Sequence, residues 1–277
     1  MKRSFMNLAA GLSLSLLTFS CNQNGSLTSK GGVTTGLTMT GSGQPAIAST
    51  TTQKLFSFLI PSAVALTPPV LVDSSSLSVN LNEAWVVVKD IEFESQEIPG
   101  ANEEDGNEVE FSGPFFVDLL TDAPISFGDA IIPATGLRRV KMKLHEAETL
   151  PASVPVELTS KSMYLSGTVN GVAFTFADDD STELEIGGPN AIVPNSAQDM
   201  LIVIRISDLF KKIDLSSITG STNIRASNRV NASNPCPLID SSATDLYTCF
   251  RKGFSTEGDF GNDDGDKDLD ENDDSVK

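Results

Sequence analysis

The sequence predicts an all-β protein, an antiparallel β-sandwich, on three observations. Residues 139–145 place Val140, Met142 and Leu144 on one face and Arg139, Lys141, Lys143 and His145 on the other, the period of a half-buried strand. Asn170-Gly171 stands between two alternating runs over residues 163–176, and this dipeptide accepts the positive φ angles of a two-residue type I′ turn. Short strands recur with turn signals between them and no long amphipathic helix, which argues against an α/β arrangement.

Each element follows from its pattern. Segment 77–93 alternates, but Ala84, Val86 and Val88 share one parity whereas Ile91 and Phe93 share the other. A bulge near Lys89-Asp90 reconciles the two phases. The Asn-Gly turn fixes a register with Val169 opposite Val172, Gly167 opposite Phe174 and Leu165 opposite Phe176 on one face, and Thr168 with Ala173 and Ser166 with Thr175 on the other. Residues 115–120, 183–186 and 200–206 supply further strands, the last apolar but for Arg205 and therefore central. Residues 207–213 read as a short helix capped by Ser207. Together these place the sandwich over residues 70–215, followed by an extension, 216–258.

The 277 residues carry 37 acidic and 19 basic side chains, a formal charge of −18. Segment 92–110 holds eight acids and no base, and segment 259–277 holds nine acids against Lys267 and Lys277. The rest of the chain is nearly neutral. An acidic chain without a basic stripe repels phosphate backbones, which excludes nucleic acid as a partner. One His, His145, on a lysine-bearing strand face removes most His-dependent metal and nucleophilic schemes.

The N-terminus reads as an address. Lys2 and Arg3 precede an apolar stretch over residues 6–19, too short for a permanent membrane span. Leu17-Thr18-Phe19-Ser20-Cys21 puts a small residue directly before the first cysteine. It resembles the lipobox of bacterial lipoproteins, which implies a signal peptide over 1–20 and acylation of Cys21; ordinary signal-peptidase cleavage is the alternative. Residues 26–52 contain twelve Ser or Thr and five Gly, a composition expected of a disordered leash. The linker is placed at 21–53. A short apolar segment, 54–69, follows and is expected to pack on the domain.

Three stretches carry a resemblance. Leu81-Asn82-Glu83-Ala84-Trp85-Val86-Val87-Val88-Lys89-Asp90-Ile91-Glu92-Phe93, Phe116-Val117-Asp118-Leu119-Leu120 and Ile132-Pro133-Ala134-Thr135-Gly136-Leu137 are similar to motifs of an uncharacterised domain family of prokaryotic surface lipoproteins. The last stretch departs from that family's Leu-Pro-Ala-Gly-x-Tyr turn by one inserted residue and a missing tyrosine. The resemblance covers residues 70–215 and implies a transthyretin-like or immunoglobulin-like sandwich on the cell envelope. It supplies no catalytic residues.

Of the remaining chemistry, Cys236 and Cys249 lie thirteen positions apart in a Pro-, Asn- and Ser-rich segment. In an exported chain they read as a disulfide. Asp264, Asp266, Asp268 and Asp270 alternate as in carboxylate-rich calcium loops, yet a loop starting at Asp264 puts Leu269 at position 6 and one starting at Asp259 puts Gly261 at position 3, so neither fits the EF-hand spacing and 259–277 is expected as a disordered acidic tail. No nucleophile elbow, zinc-protease or phosphate-loop motif occurs. The expectation is a non-enzymatic, lipid-anchored envelope lipoprotein without cofactor or metal. It sits at the outer membrane or cell surface and serves adhesion, binding of a protein or glycan, or a structural role. A calcium-dependent module using 92–110 and 259–277 is the alternative, and a carbohydrate-active enzyme with paired carboxylates stands behind it.

Overall fold

A computed structural model describes residues 32–41, 71–95, 109–121, 123–133, 136–192, 200–256, 258–262 and 275–276. Among them two sheets form the all-β sandwich that the sequence predicts. The first holds β5 (Ile125–Pro133), β1 (Gly32–Gly41), β10 (Met200–Ile204), β12 (Asp259–Asn262) and β13 (Ser275–Val276), in that spatial order. The second is organised around β3 (Ser78–Ser95).

Because β3 is eighteen residues long, one of its edges accommodates two strands in line. β7 (Met163–Val169) pairs with Val79 to Val86, and β6 (Leu137–Leu144) pairs with Val88 to Ser95. β8 (Val172–Asp178) and β9 (Thr182–Ile192) continue this pattern in the next row. The other edge of β3 carries β2 (Leu71–Val72) and β4 (Val109–Asp118). The short β11 (Thr222–Ile224) adds to β8. The expected bulge is present: the register of β3 against both β4 and β6 shifts between Val88 and Asp90. The hairpin has the expected register, from Val169 opposite Val172 to Leu165 opposite Phe176, with Asn170 at φ 47° and Gly171 at φ 79°.

One face of this long sheet is buried by two different partners. The five-stranded sheet covers the β4, β6 and β9 half: Leu37, Met39 and Ile202 join Val140, Met142 and Leu184 in one core. Helices α1 (Ile206–Lys211) and α2 (Leu246–Phe254) serve the β7–β8 half, where Phe174, Phe176, Phe210 and Phe250 pack ring on ring, with centroids 4.9 Å apart for Phe176 and Phe250. Buried Asp73 ties these parts together, its carboxylate accepting from the amides of Ser75, Leu77 and Leu215 at 2.7–2.9 Å. On the outer face the 145–162 excursion covers Val87 with Ala147 and Leu158, flanked by Trp85, Phe116 and Tyr164.

Several expectations need correction. Residues 32–41, assigned to the leash, form β1, inserted between β10 and β5. Thr35, Leu37, Met39 and Gly41 alternate inward and are buried. Such a strand needs few apolar side chains, because its main chain is hydrogen-bonded on both sides and threonine favours extended backbone. A Cβ at Gly41 would overlap the Leu119 backbone, so the small residue suits the site. β1 runs parallel to β10, and β11 parallel to β8, so the sandwich is not antiparallel throughout. These partners are distant in sequence, so no hairpin turn dictates their direction.

The domain does not end at 215. α2 and both cysteines belong to the main core, and residues 259–262 and 275–276 are strands rather than tail. Ser207 lies inside α1, whose N-cap is Arg205, and the Ser207 hydroxyl is buried without a hydrogen-bond partner. Segment 54–69 and Cys21 lie outside the described residues.

Since β1 is core, Leu37→Ala should lower unfolding free energy by about 2–5 kcal/mol in urea denaturation of the chain from residue 22. A tether would show no change.

Candidate functional site

The two in-line strand pairs leave a seam across the long sheet. β6 departs from β3 at Val88 and β7 arrives at Val86, and both main-chain groups of Val87 are satisfied by the ends of the excursion: its amide donates to Ser162 O at 2.9 Å, and its carbonyl accepts from the His145 amide at 3.1 Å. In the next row the seam falls between Asp178 and Thr182. Ser162 bridges the rows, its hydroxyl donating to Asp178 O at 3.2 Å and Asp180 O at 2.7 Å.

Helix α2 closes this seam. Asp245 caps it, accepting from the Thr248 amide at 2.8 Å, and Arg251 and Lys252 occupy the last turn, where a cation complements the helix dipole. Tyr247 and Arg251 are four residues apart and share a face. Both reach Asp178, which is fully buried. Asp178 Oδ1 accepts from the Tyr247 hydroxyl at 2.7 Å and from the Asp180 amide at 3.1 Å. Its Oδ2 accepts from Thr182 Oγ1 at 3.3 Å and faces Arg251 Nε at 3.3 Å. The remaining guanidinium nitrogens of Arg251 hold Ser181 O at 2.8 Å and the Asp180 carboxylate at 3.3 Å. Burial, reinforced by the bond to Asp178, raises the Tyr247 pKa, so the phenol remains a donor.

Outside this constellation lies an open cleft of about 440 Å³, lined by Ser181, Glu183, Arg229, Thr248, Lys252 and Ser255 among others. Arg229 lies over the Tyr247 ring, 4.8 Å from Cζ to centroid, with Nη1 3.2 Å from Thr248 Oγ1. Lys252 Nζ meets Asp240 at 2.5 Å. Each cation of the cleft thus has a carboxylate beside it, Asp245 standing 3.7 Å from Arg229. The cleft is charge-balanced, which disfavours a polyanion.

The residues singled out from the sequence fall as follows. Cys236 and Cys249 are both fully buried and disulfide-bonded, with Cα atoms 5.8 Å apart. The link fastens the start of the 236–240 turn to α2. His145 Nδ1 lies 2.8 Å from Ser181 Oγ. The contact ties the residue after β6 to the turn between β8 and β9.

The basic strand face at Arg139, Lys141 and Lys143 is flanked by acidic rows. Glu92 and Glu94 lie opposite Lys141 and Arg139 on β3, and Glu185 and Glu183 lie opposite Lys141 and Lys143 on β9. Arg139 contacts Glu185 at 3.0 Å and Glu94 at 3.5 Å, and Lys141 pairs with Glu94, which raises the Lys141 pKa. Of the acidic tail, Asp259 pairs with Arg205. Among the described residues no group of three or more His, Cys, Asp or Glu side chains is arranged to hold a metal ion, and no helix is long and apolar enough to cross a membrane. Sequence reasoning missed Asp178, Tyr247 and Arg251. The available signals were an acid ending a strand, Asp178, and the i,i+4 Tyr–Arg spacing behind an Asp cap. Comparison with family models, curated proteins and solved structures finds no match to this chain.

Tyr247→Phe removes a neutral donor from a buried carboxylate and should cost about 1–3 kcal/mol of unfolding free energy, read by urea denaturation. The Asp240 carboxyl is held down from 3.8 to about 2, chiefly by the Lys252 hydrogen bond and then by Ser242. Its stabilising effect is therefore complete above the ordinary carboxylate value and lost as pH falls through about 2. In Lys252→Met the Asp240 midpoint, followed by NMR, should return toward 3.8.

Proposed function

We propose that this chain is a non-enzymatic, lipid-anchored lipoprotein of the bacterial envelope, whose sandwich acts as an adhesion, binding or structural surface module. The observation that carries this reading is the disulfide between fully buried Cys236 and Cys249. Such links persist in oxidising compartments and are rare in the cytosol. The small residue before Cys21, the apolar leader and the resemblance to surface-lipoprotein domains support the same address.

On this reading the anchor is short. Only residues 22–31 separate Cys21 from β1, a reach of about 35 Å when fully extended. The end of the sandwich where β1 begins would therefore face the bilayer. Gly32 pairs with Pro133 at that end, and Ser95, Leu137 and Ile192 meet there in the other sheet. The cleft beside α2 and the 145–162 excursion lie farther along the long sheet, toward solvent and partners.

One observation favours calcium as a second reading. The strand ends that flank the two acidic segments, Ser95 and Val109 for one and Asn262 and Ser275 for the other, lie at the same end of the sandwich. Both acidic segments therefore leave the sandwich at the same end.

Cys21→Ala should move the protein from the membrane fraction to the soluble fraction and abolish fatty-acid labelling; retained labelling would refute the anchor. Calorimetry of the chain from residue 22 separates the two readings. Heat with millimolar calcium and a raised melting temperature support the metal-dependent module, and neither change supports a calcium-independent one.

A further inference from the structure

The first strand is a separable part. β5 and β10 belong to one sheet only through β1, which pairs with Met200–Ile204 on one side and with residues 125–133 on the other. Its grip rests on two fully buried apolar side chains, Leu37 and Met39, on Gly41 fitted against Leu119, and on main-chain hydrogen bonding along both edges. Beside these two core side chains, main-chain pairing on both edges and the Thr38 and Thr40 hydroxyls, which donate to Met200 O at 3.4 Å and Thr121 O at 3.2 Å, hold the strand, and backbone pairing is the mode by which a strand is added to a sheet.

The connection back to the body is long. Residues 42–70 separate β1 from β2, a contour of about 95–100 Å. A domain of this size is about 45 Å across. The number of residues between β1 and β2 thus permits β1 to reach the same groove in a neighbouring molecule.

We infer that the groove between β5 and β10 is a strand-acceptor site whose partner is β1 of a second copy of this chain, so that neighbouring molecules exchange first strands. The occupant is specified by fit. The groove takes an inward row of Thr35, Leu37, Met39 and Gly41 in parallel register with Met200–Ile204, and a second copy supplies that row without any new contact having to evolve. At micromolar bulk concentration the cis strand dominates through effective concentration. Crowding of molecules favours exchange, and because each β1 lies at the N-terminal side of its own connector, successive exchanges can close a dimer or run on as a chain.

Single-cysteine variants test this in the chain from residue 22. Thr38 and Ser126 are direct neighbours across β1 and β5. In the double variant Thr38→Cys/Ser126→Cys, mild oxidation should close the link within one chain, verifying the register. Thr38→Cys and Ser126→Cys are then prepared separately, mixed at high concentration, incubated and oxidised. The expected result is a heterodisulfide dimer as the main crosslinked product, lost on adding excess synthetic peptide of residues 32–41 or on introducing Leu37→Asp into the Thr38→Cys chain. The inference is overturned if the mixture yields no more heterodimer than the two homodimers, or if the peptide leaves the yield unchanged, while the double variant closes within one chain.

Discussion

The buried carboxylate of Asp178 is the contact on which the two halves of the molecule depend. An ionised group taken fully out of water costs several kcal/mol unless it is paired and hydrogen-bonded. Here the compensation comes from Tyr247 and Arg251 on α2 and from Thr182 and the Asp180 amide in the joint between β8 and β9. The helix therefore cannot leave without stranding the charge. The same carboxylate fixes where β8 ends and β9 begins, and so where sheet packing gives way to helix packing along one long face. The Cys236–Cys249 link and the Phe250 contacts with Phe174 and Phe176 hold the helix from its other side.

The second constraint is the insertion of β1. A five-stranded sheet made from the N-terminus, the middle and the C-terminus of the chain joins segments more than two hundred residues apart. Such a sheet is non-local, and its completion waits on loop closures that local hairpins do not need. The long sheet, in contrast, contains the local β7–β8 hairpin. Under the lipid anchor proposed at Cys21, the sheet that includes the first strand would lie next to the attachment point, and the helix-covered half with its cleft would point away from it.

Where local physics decides, the sequence was readable. Asn170-Gly171 sets turn and register together, and the parity slip at Lys89-Asp90 corresponds to the bulge between Val88 and Asp90. Where tertiary contacts decide, composition misled. Residues 32–41 look like a linker because threonine and glycine dominate, yet flanking strands satisfy their main chain and only Leu37 and Met39 need be apolar. Ser207 has the composition of a cap, but the strand β10 runs straight into the helix and places Arg205 at that position. The Asp178 constellation was not legible, since its members stand up to 73 positions apart (Asp178 to Arg251) and no spacing rule links a strand-end aspartate to a distant helix. The basic strand was read correctly as alternating, whereas its neutralisation by Glu92, Glu94, Glu183 and Glu185 depends on which strands flank it.

The most direct test of the account is a double-mutant cycle on Asp178→Asn and Arg251→Met, with unfolding free energies from urea denaturation of the chain from residue 22. If the carboxylate and the guanidinium act as one unit that fastens α2 across the seam, the pair should show a coupling energy of about 1–3 kcal/mol. Additive single-variant effects, with coupling near zero, would contradict it.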